Sequence, residues 1–167
     1  KDGTIQHILI RHEQAAAHAA DGYARASGRL GVCDASSGPG ATNLVTGIAE
    51  AWASSIPVLA IAASARLAIR GRNVFQDLDQ TTLFRSITKA TYDLTDVARV
   101  PEWTRRGIAK ALGGRPGPVV LNVPSDVLAV EFDYPDSEFD VSNTQSVWPS
   151  HRAFASPEDV HEVARRL

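Results

Sequence analysis

Apolar residues along the chain fall into short runs, separated by small-residue or amphipathic stretches of helical length. That alternation builds α/β domains. His7-Ile8-Leu9-Ile10 has the length of a buried strand. Residues 13–27 are alanine-rich, Tyr23 and Arg25 continue the helical stretch, and Gly28 supplies the stop. Residues 31–36 read as a second strand, closed by the turn Ser36-Ser37-Gly38-Pro39-Gly40. Over residues 42–54 the side chains of Leu44, Val45, Ile48, Ala51 and Trp52 fall on one stripe of a helix. Residues 57–63 form an unbroken apolar run, the mark of a strand buried on both faces of a parallel sheet. Residues 66–79, rich in Arg, Gly and Asp, read as a loop over the strand ends. A short helix over 81–86, a strand over 90–94, a helix over 102–112 and a last buried strand over 119–123 follow, with the Gly- and Pro-rich stretch 113–118 stopping the helix. The fold class expected is α/β: a doubly wound parallel sheet with helices on both faces.

The periodicity vanishes at Phe132, where Asp, Pro, Ser and Asn take over. Residues 1–131 are therefore read as one domain and 132–155 as a linker. Ser156-Pro157-Glu158-Asp159 is a helix start, with Ser as N-cap, Pro at the first position and acids in the first turn. Residues 156–167 read as the beginning of a further domain. The chain starts in mid-stride with Lys1-Asp2-Gly3 and contains no methionine, so it reads as a piece of something longer.

Composition narrows the function classes. With 167 residues, 44% hydrophobic and 22% charged, the chain can bury a real core. A formal charge of −2 gives no general attraction to nucleic acid or acidic membrane, so neither is expected as a partner. The local clusters Arg66, Arg70, Arg72 and Arg105, Arg106, Lys110 are read as solvated. A single cysteine, Cys33, excludes an internal disulfide and fits a reducing, cytoplasmic location. It sits in an apolar run, where a thiol is buried and inert. No run reaches the ~20 apolar residues of a membrane helix, and no signal peptide is visible.

Several familiar chemistries fail on spacing. His12-Glu13 followed by His18 invites a zinc reading, but the two histidines are roughly 240° apart around a helix and diverge. No metal ligands are assigned in this chain. Ser in G-x-S-x-G is absent, and the Gly-rich turn lacks the Lys-Ser/Thr of a P-loop. Asn43 replaces the third glycine of G-x-G-x-x-G, and Asp34 lies inside its strand rather than at the end, which weakens a dinucleotide reading.

Taken alone, Glu13 is a helix-opening acid favoured by the macrodipole, and Gly38-Pro39-Gly40 is a tight strand-to-helix connection. Together, at the carboxyl ends of successive strands, they make a place to hold a small polar ligand. The motifs His12-Glu13-Gln14, Gly22-Tyr23-Ala24-Arg25, Ser37-Gly38-Pro39-Gly40-Ala41-Thr42-Asn43, Phe75-Gln76-Asp77, Ser86-Ile87-Thr88-Lys89 and Gly114-Arg115-Pro116-Gly117-Pro118 stand in one order along residues 5–130. With Pro57-Val58 and Val123-Pro124-Ser125-Asp126 they resemble the pyrimidine-binding domain of thiamine-diphosphate enzymes, closest to acetolactate synthase and its relatives.

The resemblance implies a thiamine-diphosphate-binding fold that is incomplete at its N-terminus, where the family's first strand and Pro-Gly turn belong. It implies that Glu13 bonds the pyrimidine ring nitrogen and, as a carboxyl in an apolar pocket with a raised pKa, shares a proton there. That sharing favours the imino form, whose nitrogen takes the thiazolium C2 proton. Gly38, Pro39, Gly40 and Asn43 would hold the pyrimidine, Gln76 would act on the substrate adduct, and Phe75 and Gln76 would wall the substrate pocket. His12 is left between a supporting role and a core role. Mg²⁺ would be held by a domain outside this chain, and FAD is compatible with this branch. The site would lie at a subunit interface of a homodimer or homotetramer, with a 2-keto acid, pyruvate first, as substrate, and the isolated chain would be inactive. Ser125 and Asp77 stand where acetolactate synthases usually carry lysine and glutamate. The alternatives are therefore a related decarboxylase or lyase of other substrate, or a non-catalytic α/β assembly module.

Overall fold

The computed structural model describes residues 5–139 and 155–166. Four strands form one parallel sheet in the order β1-β2-β4-β3: β1 Gly31–Ala35, β2 Val58–Ser64, β3 Ala90–Asp93 and β4 Val119–Pro124. Gly31 lies opposite Val58, Leu59 opposite Val119 and Ala90 opposite Val119 in the paired strands. Every residue of the inner strand β4 is buried, and all but Asn122 are apolar. Helices cover both faces. On one, Ala17, Ala20 and Ala24 of α1 (Glu13–Ser27) and Leu44, Ile48 and Ala51 of α2 (Pro39–Ala53) pack with Val58, Ala60 and Ala62. On the other, Ala111, Trp103 and Ile108 of α4 (Val100–Leu112) pack with Leu59, Val119 and Leu121. The alternation of β2 side chains between two cores is the period of two expected for a strand.

The short helix α3 (Gln80–Phe84) precedes β3, and one turn, α5 (Ser125–Leu128), follows β4. Gly28 ends α1 in the left-handed conformation, as the sequence indicates. α2 begins at Pro39, three residues ahead of the sequence expectation. A proline at the first helical position has the required φ and lacks a donor that would be unpaired there anyway. α4 likewise begins earlier, at Val100, behind a 3₁₀ turn at Val97–Arg99. Cys33 is buried as expected, and burial, with Asp34 adding to it, pushes its thiol up to about 12.

Residues 7–10 are not a buried strand. Ile5, Ile8 and Leu9 are 87%, 69% and 85% exposed, and the sheet's pairing ends at β1. Apolar content does not make a strand; a ladder partner does. His7 Nε2 of the segment lies 3.5 Å from Asp34 Oδ1 of β1, with both side chains exposed. The expected linker is also more structured at its start. A 3₁₀ turn at Asp136–Phe139 is docked by the Tyr134 hydroxyl donating to the Val97 carbonyl at 2.7 Å and by Arg105 pairing with Glu138 at 2.6 Å. Residues 140–154 of that expectation lie outside the described residues. α6 (Pro157–Arg166) starts where the capping signal puts it: the Asp159 N–H donates to Ser156 Oγ at 3.1 Å, and that hydroxyl donates to Asp159 Oδ2. None of the described helices is long and apolar enough to cross a membrane.

Leu44 is fully buried in the α1–α2 core. Leu44→Ala is expected to cost about 2–5 kcal/mol of unfolding free energy in urea titration, and a loss below about 1 kcal/mol would contradict the closed packing of these helices.

Candidate functional site

Helix packing decides where the candidate residues go. Small residues let α1 and α2 lie close: a Cβ at Gly47 would sit 2.5 Å from the Ala17 Cβ. Arg25 of α1 then bridges Asp21 at 2.7 Å and Glu50 of α2 at 2.9 Å. The two helices therefore bring their N-terminal turns together at the carboxyl edge of the sheet. Glu13 is the first residue of α1, and Asn43 is the fifth of α2. The Asn43 amide Nδ2 donates to Glu13 Oε2 at 3.0 Å.

Glu13 is partly buried, and its pKa lies below the ordinary carboxylate value. The largest cause is the Asn43 hydrogen bond; its own backbone N–H adds to it, burial opposes, and His12 helps slightly. The expectation of a raised pKa is therefore wrong for this chain. The groups facing the carboxylate are donors rather than an apolar wall, and donors favour the charged form. His12 is the N-cap of α1: its exposed Nδ1 accepts from the Gln14 N–H at 3.2 Å. That is a capping role rather than a core one.

Two glycines shape the turn. Gly38 caps α2 at φ 61° and ψ −109°, a conformation that side chains avoid. A Cβ there would also lie 2.9 Å from the Gln76 backbone. At Gly40 a Cβ would lie 2.5 Å from Ser36 Oγ and 3.2 Å from Glu13 Oε1. Any side chain at Gly40 would crowd the Glu13 carboxylate. Pro39 is exposed between them.

Gln76 arrives from the β2–α3 loop and is seated on this turn. It adopts φ 61°, rare for a residue with a side chain, and its Oε1 accepts from the Ser37 hydroxyl at 2.9 Å. The loop that carries it is fastened at several points. Arg70 donates to Ser64 Oγ at 2.8 Å and lies 3.4 Å from Asp93, so this arginine is not a solvated one. Asp77 accepts from the Gly71 N–H at 2.7 Å, and Gln80 Nε2 donates to the Ala63 carbonyl. Leu67 N–H donates to Asp126 of α5 at 3.0 Å. A polar cleft of about 360 Å³ beneath the loop is lined by Arg70, Asp77, Gln80 and Asn122, and none of Glu13, Gly38, Pro39, Gly40 and Asn43 lines it.

The structure thus brings Glu13, Gly38, Gly40, Asn43 and Gln76 to one place. Phe75 is 89% exposed beside Gln76 and walls nothing within the described residues. Ser125 is exposed at the start of α5, and Asp77 is spent on holding its own loop. Sequence reasoning missed Ser37 as a partner of Gln76, and Arg70 and Asp126 as loop anchors. The only signal for Ser37 was its place in the Gly-rich turn; the others carried none, because it is the course of the loop in the fold that brings them to their partners.

Residues 1–83 match the family described as thiamine pyrophosphate enzyme, N-terminal TPP binding domain. The chain is 51% identical over 132 residues to a probable acetolactate synthase large subunit of Methanocaldococcus jannaschii, an alignment covering 79% of this chain and 22% of that protein. It is 47% identical over 132 residues to an acetolactate synthase of Arthrospira platensis, covering 79% of this chain and 23% of that protein. Against an acetolactate synthase large subunit of Parasynechococcus marenigrum the identity is 40% over 169 residues, 99% of this chain and 27% of the relative. The chain spans about a quarter of the length of the curated relatives it matches.

The Glu13 pKa is lowered, so its contribution to stability is present above the unfolded carboxylate pKa and is lost as pH falls through the folded value. In Asn43→Leu the largest cause is removed. The Glu13 carboxyl midpoint, followed by carbon NMR, is expected to move up toward the ordinary value; an unmoved midpoint would show that Asn43 does not set it.

Proposed function

We propose that this chain, which belongs to the thiamine pyrophosphate enzymes and is similar to acetolactate synthases, forms the pyrimidine-binding part of a carboligase. The whole enzyme would decarboxylate a 2-keto acid, pyruvate first, and join the remaining unit to a second carbonyl compound. One observation carries the reading: a carboxylate at a helix start, held by the Asn43 amide beside a glycine turn with no Cβ to cover it.

The residues present fit the cofactor's pyrimidine. A flat ring with a basic nitrogen at its edge needs a carboxyl group in its plane and room over the backbone. Glu13 supplies the first, and Gly38 and Gly40 leave the second. When bound, thiamine diphosphate supplies the carbanion chemistry, and the protein supplies position and electrostatics. Glu13 would hold the proton at the ring nitrogen. In the bare chain it is charged; covering it would exclude water and move its pKa upward, toward proton sharing. Asn43 would keep the carboxylate aimed while that happens. Gln76 would meet the substrate, and the exposed Phe75 would become a wall once a second subunit covers it.

Among the described residues no cluster of three or more His, Cys, Asp or Glu could hold a metal. By the same reading Mg²⁺ and the diphosphate it binds would be held by a domain outside these residues, in a homodimer or homotetramer located in the cytoplasm. FAD enters the assay as a variable.

The test is calorimetric binding of thiamine diphosphate with Mg²⁺ to the full-length protein, wild type beside Glu13→Gln, with and without FAD. Carbon dioxide release from pyruvate is measured on both. Binding by both, with turnover in the variant lower by at least about 100-fold, is expected for an activating carboxylate. Absence of binding by the wild type would overturn the reading. The 167-residue chain by itself is expected to release no carbon dioxide, and measurable release by it would contradict the shared-site arrangement.

A further inference from the structure

We propose that Ser37 is the positioning residue of Gln76, and that it fixes which face of the Gln76 carboxamide is offered to the substrate. The proposal deepens the reading above and rests on Gln76 facing the 2-keto acid.

A carboxamide has an accepting end and a donating end, and free in solution it presents both. Here the Ser37 hydroxyl donates to Gln76 Oε1 at 2.9 Å. The accepting end is thereby occupied. The donating end, Nε2, has no partner among the described residues and is the end left to offer. The carboxamide's orientation follows from its neighbour rather than from its own sequence position.

The backbone enforces the same arrangement. Gln76 is held at φ 61°, against the preference of a residue with a Cβ, and strain of this kind persists only where surroundings over-determine it. Two of those surroundings are consecutive residues of the turn: Ser37 binds the side chain, and Gly38 lies against the backbone with no room for a Cβ. The following residue, Asp77, ties back to the Gly71 N–H at 2.7 Å, so the loop cannot simply relax. Ser37 itself is fixed by leading directly into Gly38, the cap of α2. The turn that opens the cofactor-facing helix therefore also orients the substrate-facing amide.

The chemical consequence is selective. An amide N–H₂ fixed as a donor suits a substrate that presents oxygen acceptors, the carboxylate and keto oxygens of a 2-keto acid. Rotation of the carboxamide by half a turn would place Oε1 there instead and repel a carboxylate. Hydrogen bonds to a charged acceptor are stronger than neutral ones, so the loss falls on the acid substrate in particular.

The experiment uses the full-length enzyme loaded with thiamine diphosphate and Mg²⁺, and compares Ser37→Ala, Ser37→Thr, Gln76→Ala and the Ser37→Ala/Gln76→Ala double variant. For pyruvate, Ser37→Ala is expected to lower kcat/KM by about fivefold to tenfold, the worth of one hydrogen bond, with cofactor affinity unchanged. Ser37→Thr keeps the hydroxyl and should recover most of the activity. In the Gln76→Ala background, Ser37→Ala should cost nothing further. Full activity of Ser37→Ala, or losses that simply add in the double variant, would overturn the proposal. A crystal structure of the Ser37→Ala enzyme supplies a readout independent of turnover: the Gln76 carboxamide should be rotated or found in more than one orientation, and an unchanged side chain would equally overturn it. Inactive wild type with a rotated Gln76 would sink the proposed reaction while leaving the Ser37–Gln76 coupling in place.

Discussion

The arrangement depends on how closely α1 and α2 approach. The Asn43–Glu13 hydrogen bond joins residues thirty positions apart, and it exists only because the helices meet through alanine and glycine. With Ala17 against Gly47, the backbones come near enough for the two N-terminal turns to share a polar side-chain pair. A larger residue at either place would separate the turns. The same packing brings the Asn43 amide to the carboxylate, and that hydrogen bond is the largest cause keeping Glu13 charged while water can reach it. Packing at one level thus sets electrostatics at the next.

A second constraint acts on the opposite side of the site. The β2–α3 loop has few apolar contacts to hold it, and it is instead tied by separate polar anchors at Arg70, Asp77, Gln80 and Asp126. Each is modest, since such bonds are worth about 1 kcal/mol apiece. Acting together they hold Gln76 in a conformation it would not choose. The sheet edge supplies the common reference: Ser64 ends β2 and Asp93 ends β3, so the loop is tied to the ends of strands in the same sheet whose β1 leads into the Gly-rich turn. A rigid frame and a pinned loop then converge on the space over Gly38 and Gly40.

Much of this was legible in the sequence, for physical reasons. Long periodic elements such as α1 and the buried run of β4 report their own structure, because burial on a fixed period leaves a pattern in the residues. The capping signals at Gly28 and Ser156 are equally local. Residues 7–10 misled because apolar content says nothing of whether a strand partner stands beside it. The direction of the Glu13 shift was missed because it turns on Asn43, whose nearness is a product of helix packing. Ser37, Arg70 and Asp126 were illegible for the same reason: their partners lie 39, 6 and 59 positions away, across turns whose course only the fold decides.

The central claim is that the Glu13 carboxylate, aimed by Asn43, governs the proton at the reactive carbon of bound thiamine diphosphate. The direct measurement is the rate at which the thiazolium C2 proton exchanges with deuterated solvent on the full-length protein, wild type against Glu13→Gln, with bound cofactor confirmed in both. The account predicts exchange slowed by about 100-fold or more in the variant, the range expected when a positioned acid–base group is removed. Equal exchange rates would contradict it and leave Glu13 as no more than the first residue of a well-packed helix.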